Sequence, residues 1–411
     1  MQLKSMRQLA KIIALLALTA PAWTAGAVAP MIATGYSSCV FLNADGTVWG
    51  TGNVTNYWPG ATSPVPLLQL PNIVAVATGD TDFAVLADGT LWGSGYNSNG
   101  QLGDGSTQYR SQPQQVPGLS GVVAVAAWNH VLALKADGTV WGLGTNGNGQ
   151  LGNGTRTDQH FPVQAIGLTG IVKIAVGADS SIALKNDGTV WVWGTTCCGA
   201  LGNGVNTQNE SDPTEHTLVP TQVPNLDQVV AITTGESHNM ALRADGTVWT
   251  WGIGANGENG TGDLSSRLVP TQIQGLSNVV AIEAKGIRFS LALKADGTVW
   301  VWGNNNAGQF GQSGIVSSDT PVQVPGVTGV VAISAGWDHV IAMRNDGTVV
   351  AWGLNANGQL GDNTLTSNSQ PLPVAGPGGT CRRASKMTQV CATNDYPGAQ
   401  AALRDAACEL V

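Results

Sequence analysis

The chain has 411 residues, of which 55 are glycine and only 11 % are charged, compared with about 25 % in an average soluble domain. Its formal charge is −8, and the sequence contains no cluster of Lys and Arg. Because Lys and Arg side chains that neutralise phosphates supply most of the affinity for nucleic acid, this composition excludes DNA and RNA as partners and argues against an anionic membrane surface.

The first 27 residues combine a basic start, an apolar run over 12–20 and small-residue sites ending at Ala22 and Ala27. This order is typical of a secretory signal peptide, and we expect cleavage after Ala27. The alternative, an uncleaved membrane anchor, needs about 18 apolar residues, more than this run provides. The sequence therefore predicts a secreted or periplasmic protein without a membrane span. Cleavage takes the formal charge from −8 to −11 by removing Lys4, Arg7 and Lys11.

An internal repeat follows. The string Asp-Gly-Thr recurs seven times between residues 31 and 376, at spacings of 43 to 58 residues, and a period of this size indicates a repeat architecture. Its copies begin at Asp45, Asp88, Asp137, Asp187, Asp245, Asp296 and Asp346. In six copies a tryptophan lies two residues after the Thr: Trp49, Trp92, Trp141, Trp191, Trp249 and Trp300.

The third copy shows how each repeat divides into strands. We predict strands over 122–126, 130–135, 139–143 and 162–166, with Asp137-Gly138 forming a hairpin of type I′. Pro162 marks the last strand as an edge strand. Four short antiparallel strands per repeat are typical of a propeller blade, so we predict an all-β, seven-bladed propeller. A β-solenoid is the alternative, but its coils are shorter and lack an internal hairpin.

The segment from Leu291 to Gly311, LALKADGTVWVWGNNNAGQFG, resembles a repeat of the regulator of chromosome condensation family. The resemblance extends over nearly the whole mature chain and implies a seven-bladed propeller over residues 28–376. Some eukaryotic members of that family act as guanine-nucleotide exchange factors on a small nuclear GTPase, and the wider superfamily includes a secreted bacterial β-lactamase inhibitor. The repeat therefore predicts fold far better than function.

Several repeated side chains resemble functional residues. His130, His238 and His339 occupy one position in alternate copies, but another copy has Phe289 there, so we expect them to bond a neighbouring blade's backbone. The repeated tryptophans share the period of the core, so we expect inter-blade packing rather than a stacking platform. A second set should pack as well: Trp193, Trp251, Trp302 and Trp352.

The chain has no Walker loop, no Gly-x-Ser-x-Gly and no His-Glu-x-x-His. No loop supplies alternating carboxylates for calcium, so turn chemistry explains the Gly/Asn-rich loops. We therefore predict a protein that is not an enzyme and has no metal or cofactor.

Antiparallel order places the turns between strands one and two, and the loops between strands three and four, at one end of the propeller. We call this end the upper face; the Asp-Gly hairpins lie at the lower end. The upper turns vary between copies, and the longest upper loop includes residues 208–216. We predict that a protein partner contacts Tyr36, Trp128, Glu236 and Trp337, because aromatic side chains on loops are common hot spots. The alternative is that these rings pack into their own blades.

The C-terminal tail, residues 377–411, departs from the repeat. In an oxidising compartment its cysteines could staple it to the ring, for instance through Cys39. Six cysteines allow fifteen pairings, and zinc is disfavoured because no Cys-x2-Cys pair occurs. All six are disulfide candidates: Cys39, Cys197, Cys198, Cys381, Cys391 and Cys408.

Together these features predict an exported, monomeric, non-catalytic scaffold or inhibitor that binds a protein. One alternative is a guanine-nucleotide exchange factor, which the family resemblance suggests. Another is a carbohydrate-binding lectin or a glycan-acting enzyme. A glycosidase needs two carboxylates about 5 to 9.5 Å apart, for which Asp80 and Glu236 are the candidates.

Overall fold

The computed structural model describes residues 31–43, 45–54, 60–79, 81–205, 216–284, 286 and 288–375. These residues form 28 strands in seven four-stranded antiparallel sheets, and they contain no helix. The strands of every sheet follow chain order, and we number the sheets blades 1 to 7. The predicted all-β, seven-bladed propeller is confirmed.

Each blade consists of four consecutive strands. Blade 1 contains β1 (Met31–Thr34), β2 (Ser38–Leu42), β3 (Val48–Gly52) and β4 (Ala61–Leu67). Blade 2 contains β5 (Ile73–Thr78), β6 (Thr81–Leu86), β7 (Leu91–Gly95) and β8 (Arg110–Gln115). Blade 3 contains β9 (Val122–Ala127), β10 (His130–Lys135), β11 (Val140–Gly144) and β12 (Gln159–Gln164). Blade 4 contains β13 (Ile171–Val176), β14 (Ser180–Lys185), β15 (Val190–Thr195) and β16 (His216–Gln222). Blade 5 contains β17 (Val229–Thr234), β18 (His238–Arg243), β19 (Val248–Gly252) and β20 (Arg267–Gln272). Blade 6 contains β21 (Val279–Glu283), β22 (Phe289–Lys294), β23 (Val299–Asn304) and β24 (Ser317–Gln323). Blade 7 contains β25 (Val330–Ala335), β26 (His339–Arg344), β27 (Val349–Gly353) and β28 (Asn368–Pro373).

The ring closes where blade 7 packs on blade 1. The first strand of each blade contacts the first strand of the next, and β1 contacts β25 in the same way. Polar bonds reinforce this junction: Thr34 Oγ1 lies 2.9 Å from Ser334 Oγ, and Thr51 Oγ1 donates to the carbonyl of Gln359 at 3.1 Å. Within the described residues, closure therefore rests on packing and hydrogen bonds rather than on a strand shared between blades.

The Asp-Gly hairpins lie at the lower end, as predicted, but their turn type differs from the prediction. In blade 3 the backbone N–H of Lys135 donates to Thr139 O, and that of Gly138 donates to Lys135 O. Three residues thus separate the paired positions, and among them Gly138 has a positive φ of 78°, whereas Asp137 does not. This is a type I turn followed by a left-handed glycine, which is the usual form of a three-residue loop. The predicted type I′ turn is wrong because it requires a two-residue loop.

The two tryptophan sets pack differently. The second set is fully buried, and each indole N–H donates to a backbone carbonyl of the preceding blade, for example Trp193 to Gln150 O at 2.7 Å and Trp302 to Glu258 O at 2.8 Å. The first set is only half-buried at the edge of the core. There Trp141, for example, donates to Thr139 of its own hairpin and lies under the Lys135 ammonium group. The expected packing holds for both sets, but the fully buried inter-blade set is the second.

Candidate functional site

Two neighbouring cavities open on the upper face where blades 5, 6 and 7 meet. The first has a volume of about 380 Å³ and is lined by residues that include Glu236, Asn256 and Glu258; we call it the Glu258 pocket. The second, the Asp338 pocket, has a volume of about 370 Å³ and is lined by residues that include Trp337 and Asp338. Arg288, in the upper turn of blade 6, lines both pockets. Cavities of about 300 to 1,000 Å³ are typical of ligand sites.

Two other junctions of the propeller show how these charges are positioned. At these two junctions a glutamine in the loop between the third and fourth strands of one blade donates its side-chain amide to an aspartate in the upper turn of the next blade. Gln150 bonds Asp179 at 3.4 Å in this way, and Gln309 bonds Asp338 at 2.8 Å. Between blades 5 and 6 the corresponding residues are Glu258 and Arg288, so both partners have changed and the sign of the turn residue is reversed.

Glu258 is a nearly buried carboxylate, with a relative exposure of 2 %. Burial raises the pKa of Glu258 above the usual range. Hydrogen bonds from its own backbone N–H and from Asn256, together with the positive charge of Arg288, lower this pKa in part. The backbone N–H of Asn256 donates to Glu258 Oε2 at 2.6 Å. The loop therefore holds this carboxylate at the bottom of its pocket with limited compensation for its charge.

Asp338 is a half-buried carboxylate in the neighbouring pocket. Burial raises its pKa, and the Gln309 hydrogen bond and the charge of Arg288 partly offset this effect. Gln309 donates to Oδ1. Among the described residues no donor bonds Oδ2, so this oxygen keeps its capacity to accept a hydrogen bond from outside the chain.

Arg288 is the exposed centre of the site. Its side chain is 55 % exposed, and its backbone has a positive φ of 62°, a conformation that is uncommon for a residue with a side chain. Its Nε lies 3.9 Å from Glu236 Oε2, and the Glu236 side chain is itself 41 % exposed. An exposed ion pair of this length contributes little stability, so the guanidinium group can exchange partners at low cost.

The structure brings three of the four predicted partner-binding residues into one sector. The rings of Tyr36 and Trp337 meet edge to face across the junction of blades 7 and 1. Trp337 lines the Asp338 pocket, and Glu236 lines the Glu258 pocket. Trp128 lies apart in blade 3, half-buried against a core cluster of blades 3 and 4. A binding role for all four residues stays a prediction.

Sequence reasoning missed the residues that link this sector: Glu258, Arg288 and Asp338. Comparison of equivalent positions in the copies would have found the first two, because the exchange of glutamine for glutamate and of aspartate for arginine is visible in the sequence. The pockets themselves depend on how neighbouring blades pack.

The repeated histidines join neighbouring blades through a relay. His130 Nε2 lies 2.7 Å from Ser181 Oγ of the next blade, and this hydroxyl donates to Gln150 O at 2.7 Å. His238 and Ser290 repeat the arrangement at 2.8 Å, with Ser290 donating to Glu258 O at 2.9 Å. The structural role fits the expectation, but the predicted partner is wrong. His130 and His238 each bond a hydroxyl rather than a backbone group, because a serine side chain stands between the ring and the carbonyl.

The relay also fixes the chemistry of the histidines. Since Ser290 gives its proton to a carbonyl, it can only accept from His238, which must therefore carry hydrogen on Nε2. Burial lowers the pKa of His130 to about 3 and that of His238 to about 4. Both rings are consequently neutral donors at physiological pH.

Cys39 occupies the place of the serine at the junction of blades 7 and 1. Its Sγ lies 3.1 Å from His339 Nε2 and 3.3 Å from the carbonyl of Gln359, and the residue is fully buried. Cys197 and Cys198 lie side by side in the upper loop of blade 4. The remaining candidates lie outside the described residues, so the disulfide pairing stays a prediction: Cys381, Cys391 and Cys408.

Other predicted features fall outside the part of the chain that the structure describes. These are the signal peptide, the tail from residue 377, most of the loop over 208–216, and Asp80. In the described residues no group of three or more His, Cys, Asp or Glu side chains could hold a metal ion. No helix with the length and hydropathy of a membrane span occurs in that same part of the chain.

Comparison with known proteins agrees with this architecture. The family model described as an RCC1-like domain matches residues 61–396. The structure of human WBSCR16 is similar, with 26 % sequence identity, a TM-score of 0.69, and coverage of 78 % of this chain and 86 % of that one. No curated protein matches the sequence significantly.

Two structures of yeast Prp20 are also similar in fold. Saccharomyces cerevisiae Prp20p, described with its binding to Gsp1p and histones, has 24 % identity, a TM-score of 0.67, and coverage of 77 % of this chain and 81 % of that one. Yeast RCC1 (Prp20) in complex with Kap60 has 22 % identity, a TM-score of 0.68, and coverage of 85 % and 87 %. At these identities the likeness shows the fold alone.

Proposed function

Because the chain belongs to the RCC1-like domain family, we propose that it is an exported, non-catalytic scaffold that binds a protein partner through the upper face of its propeller. The binding surface is the sector around the two pockets, which we call the Arg288 sector. It consists of Tyr36, Glu236, Glu258, Arg288, Trp337 and Asp338.

One observation carries this proposal: the sector combines concave shape, exposed charge and a pair of aromatic rings at one place on an otherwise repetitive ring. Arg288 and Trp337 line a pocket together, and Tyr36 packs against Trp337. Arginine and large aromatic residues supply most binding hot spots in protein interfaces. A stable interface needs roughly 800 Å² on each partner, so the neighbouring upper turns would contribute the rim.

The non-catalytic part of the proposal is supported by how two buried histidines, His130 and His238, are used. A general base needs a pKa near the operating pH. Burial instead lowers the pKa of His130 and His238 far below neutrality, and their Nε2 atoms are engaged between blades. These rings hold the propeller together.

The exported part rests on the sequence of residues 1–27 and is tested separately. The gene, expressed with its own first 27 residues in a bacterial host, should yield a product outside the cytoplasm. Mass spectrometry should find a mature chain that begins at residue 28. An unprocessed product in the cytosol would remove this part of the proposal and favour the alternative of nucleotide exchange on a GTPase.

The binding face is tested by capture from extracytoplasmic extract. The mature chain, immobilised at its C-terminus, should retain a protein that the double variant Tyr36→Ala/Trp337→Ala does not retain. Tyr109→Ala is the matched control, because Tyr109 is 56 % exposed on blade 2, away from the Arg288 sector. Equal capture by the double variant and the wild type would contradict the proposed face. Release of the captured material by free sugars would favour the lectin alternative.

A further inference from the structure

The Arg288 sector carries an excess of negative charge. Three carboxylates, those of Glu236, Glu258 and Asp338, face one guanidinium group, that of Arg288. Among the described residues that line the two pockets, Arg288 is the single Lys or Arg. The whole chain is acidic as well, at −8. The summed field therefore attracts cations to this face and slows the approach of anions.

The Asp338 pocket offers specific partners to a cationic side chain. Asp338 lines the pocket, and its Oδ2 accepts no hydrogen bond from the described residues, although burial makes its charged form costly. A guanidinium or ammonium group at this oxygen would replace the lost hydration with a charge-assisted hydrogen bond. Only a cationic donor both bonds the Oδ2 atom and compensates the negative charge of the carboxylate.

Trp337 forms another wall of the same pocket. Its ring is held in place by Tyr36, and its buried indole N–H bonds no acceptor in the described part of the chain. Since this N–H has no accessible surface, only the ring itself is available to a ligand. The ring can stack on a cation. The chain already uses this contact elsewhere, with Lys135, Arg243 and Lys294 lying 5.2 to 5.7 Å from tryptophan rings.

Arg288 acts as an internal counter-ion that an incoming cation displaces. It lies between the pockets, it is exposed, and its ion pair with Glu236 is long. A shift of its guanidinium towards Glu236 and Glu258 would leave Asp338 to the newcomer. An acidic partner would instead have to approach Arg288 past three carboxylates.

We propose that the Asp338 pocket binds a Lys or Arg side chain of the partner, so that the upper face recognises a basic peptide segment. The carboxylate of Asp338 pairs with the cation, and the Trp337 ring stacks on its stem or head. This inference rests on the proposed function, because it names the class of partner for the same face.

The experiment is calorimetric titration of the mature chain at low ionic strength with three capped tetrapeptides: tetra-arginine, its uncharged tetra-citrulline counterpart, and tetra-glutamate. We expect tetra-arginine alone to bind. Asp338→Asn should weaken it about tenfold or more, as removal of one charge of a partly buried pair does. Arg288→Ala should strengthen it by removing the competing cation. Asp179→Asn is the matched control, because Asp179 has the same place and the same glutamine partner in blade 4, and it should change nothing.

The sign of the Arg288 effect decides between partner classes. Binding of tetra-glutamate that is lost in Arg288→Ala would overturn the proposal and identify an anion site. Equal binding of tetra-arginine and tetra-citrulline, or an Asp338→Asn affinity equal to that of Asp179→Asn, would also overturn it. Any of these results would overturn only the choice of a basic peptide. The proposed function would still stand if the wild type captured a partner and the Tyr36→Ala/Trp337→Ala variant did not. Capture by that variant would contradict the proposed function itself.

Discussion

Replacing Ser290 with alanine should cost the propeller about 2–4 kcal/mol, because it breaks the relay between blades 5 and 6. The hydroxyl accepts from His238 at 2.8 Å and donates to Glu258 O at 2.9 Å. Loss of one hydrogen bond costs about 1 kcal/mol net, and leaving a buried donor unpaired costs about 1–3 kcal/mol more. The carbonyl keeps its second donor, Trp302, so the penalty arises mainly at the stranded N–H of His238.

The measurement is urea unfolding of the mature chain, followed by tryptophan fluorescence. Ser181→Ala is the parallel variant, since its relay through His130 has the same geometry, and it should cost a similar amount. The double variant His238→Phe/Ser290→Val should recover most of the loss. It copies the junction of blades 6 and 7, where Phe289 and Val340 occupy these positions in an apolar core cluster.

Replacement of both polar partners by apolar groups of similar shape is nearly neutral, whereas removal of one partner is not. The relay account therefore requires the double variant to be more stable than Ser290→Ala. A single variant within about 0.5 kcal/mol of the wild type, the range of ordinary surface substitutions, would refute the reasoning. So would a double variant that is less stable than the single one.

Three further predictions concern stability. His130 and His238 are neutral when folded, but the unfolded chain takes up their protons below pH 6.5, so stability is complete above that value and falls as the pH drops towards 4. Each histidine should contribute a slope of about 1.4 kcal/mol per pH unit, and urea unfolding across this range should show a shallower slope in the double variant His238→Phe/Ser290→Val. Cys39→Ser should change the unfolding free energy by less than about 1 kcal/mol, because serine holds the same place at two other junctions; a structural disulfide at Cys39 would instead make the loss about 2–5 kcal/mol. Gly138→Ala should cost about 1–2 kcal/mol or more, because the φ of Gly138 is +78° and a Cβ would lie 2.8 Å from the backbone N of Gly170. The control is Gly147→Ala, which has open space around it and should change the unfolding free energy by no more than about 0.5 kcal/mol in the same assay.

The fold could be predicted from the sequence because every blade repeats the same local signals. In blade 3 the predicted strands at 122–126 and 130–135 agree with β9 and β10 to within one residue. The outer strand β12 begins three residues before Pro162, since only its other residues need to pair with β11. The repeat of apolar strands and the Asp, Gly and Pro residues between them are local features, so they can be seen in a single sequence.

Details that depend on contacts between blades were harder to predict. The sequence does not show which tryptophan of each strand meets the preceding blade, because Trp191 and Trp193 lie on the same face of β15. Burial separates them: Trp193 is fully buried and bonds Gln150 O, whereas Trp191 bonds Thr189 in its own hairpin. The hydrogen-bond partner of His130 was predicted wrongly for the same reason, since Ser181 lies in the next blade, 51 residues away in the chain.

The Glu258 and Arg288 pair shows how one junction differs in charge from the junctions that use glutamine and aspartate. A glutamate facing an aspartate would place two like charges together, and an arginine facing a glutamine would lack a carboxylate partner. The two changes together keep a complementary junction between blades 5 and 6. Their net effect is on the surface. At this junction a guanidinium group lies between carboxylates, whereas at the next junction an aspartate lies beside a glutamine amide. Packing alone does not require this exchange, because the Gln309 and Asp338 pair serves the next junction, so the altered charge pattern is what sets this junction apart from its neighbour.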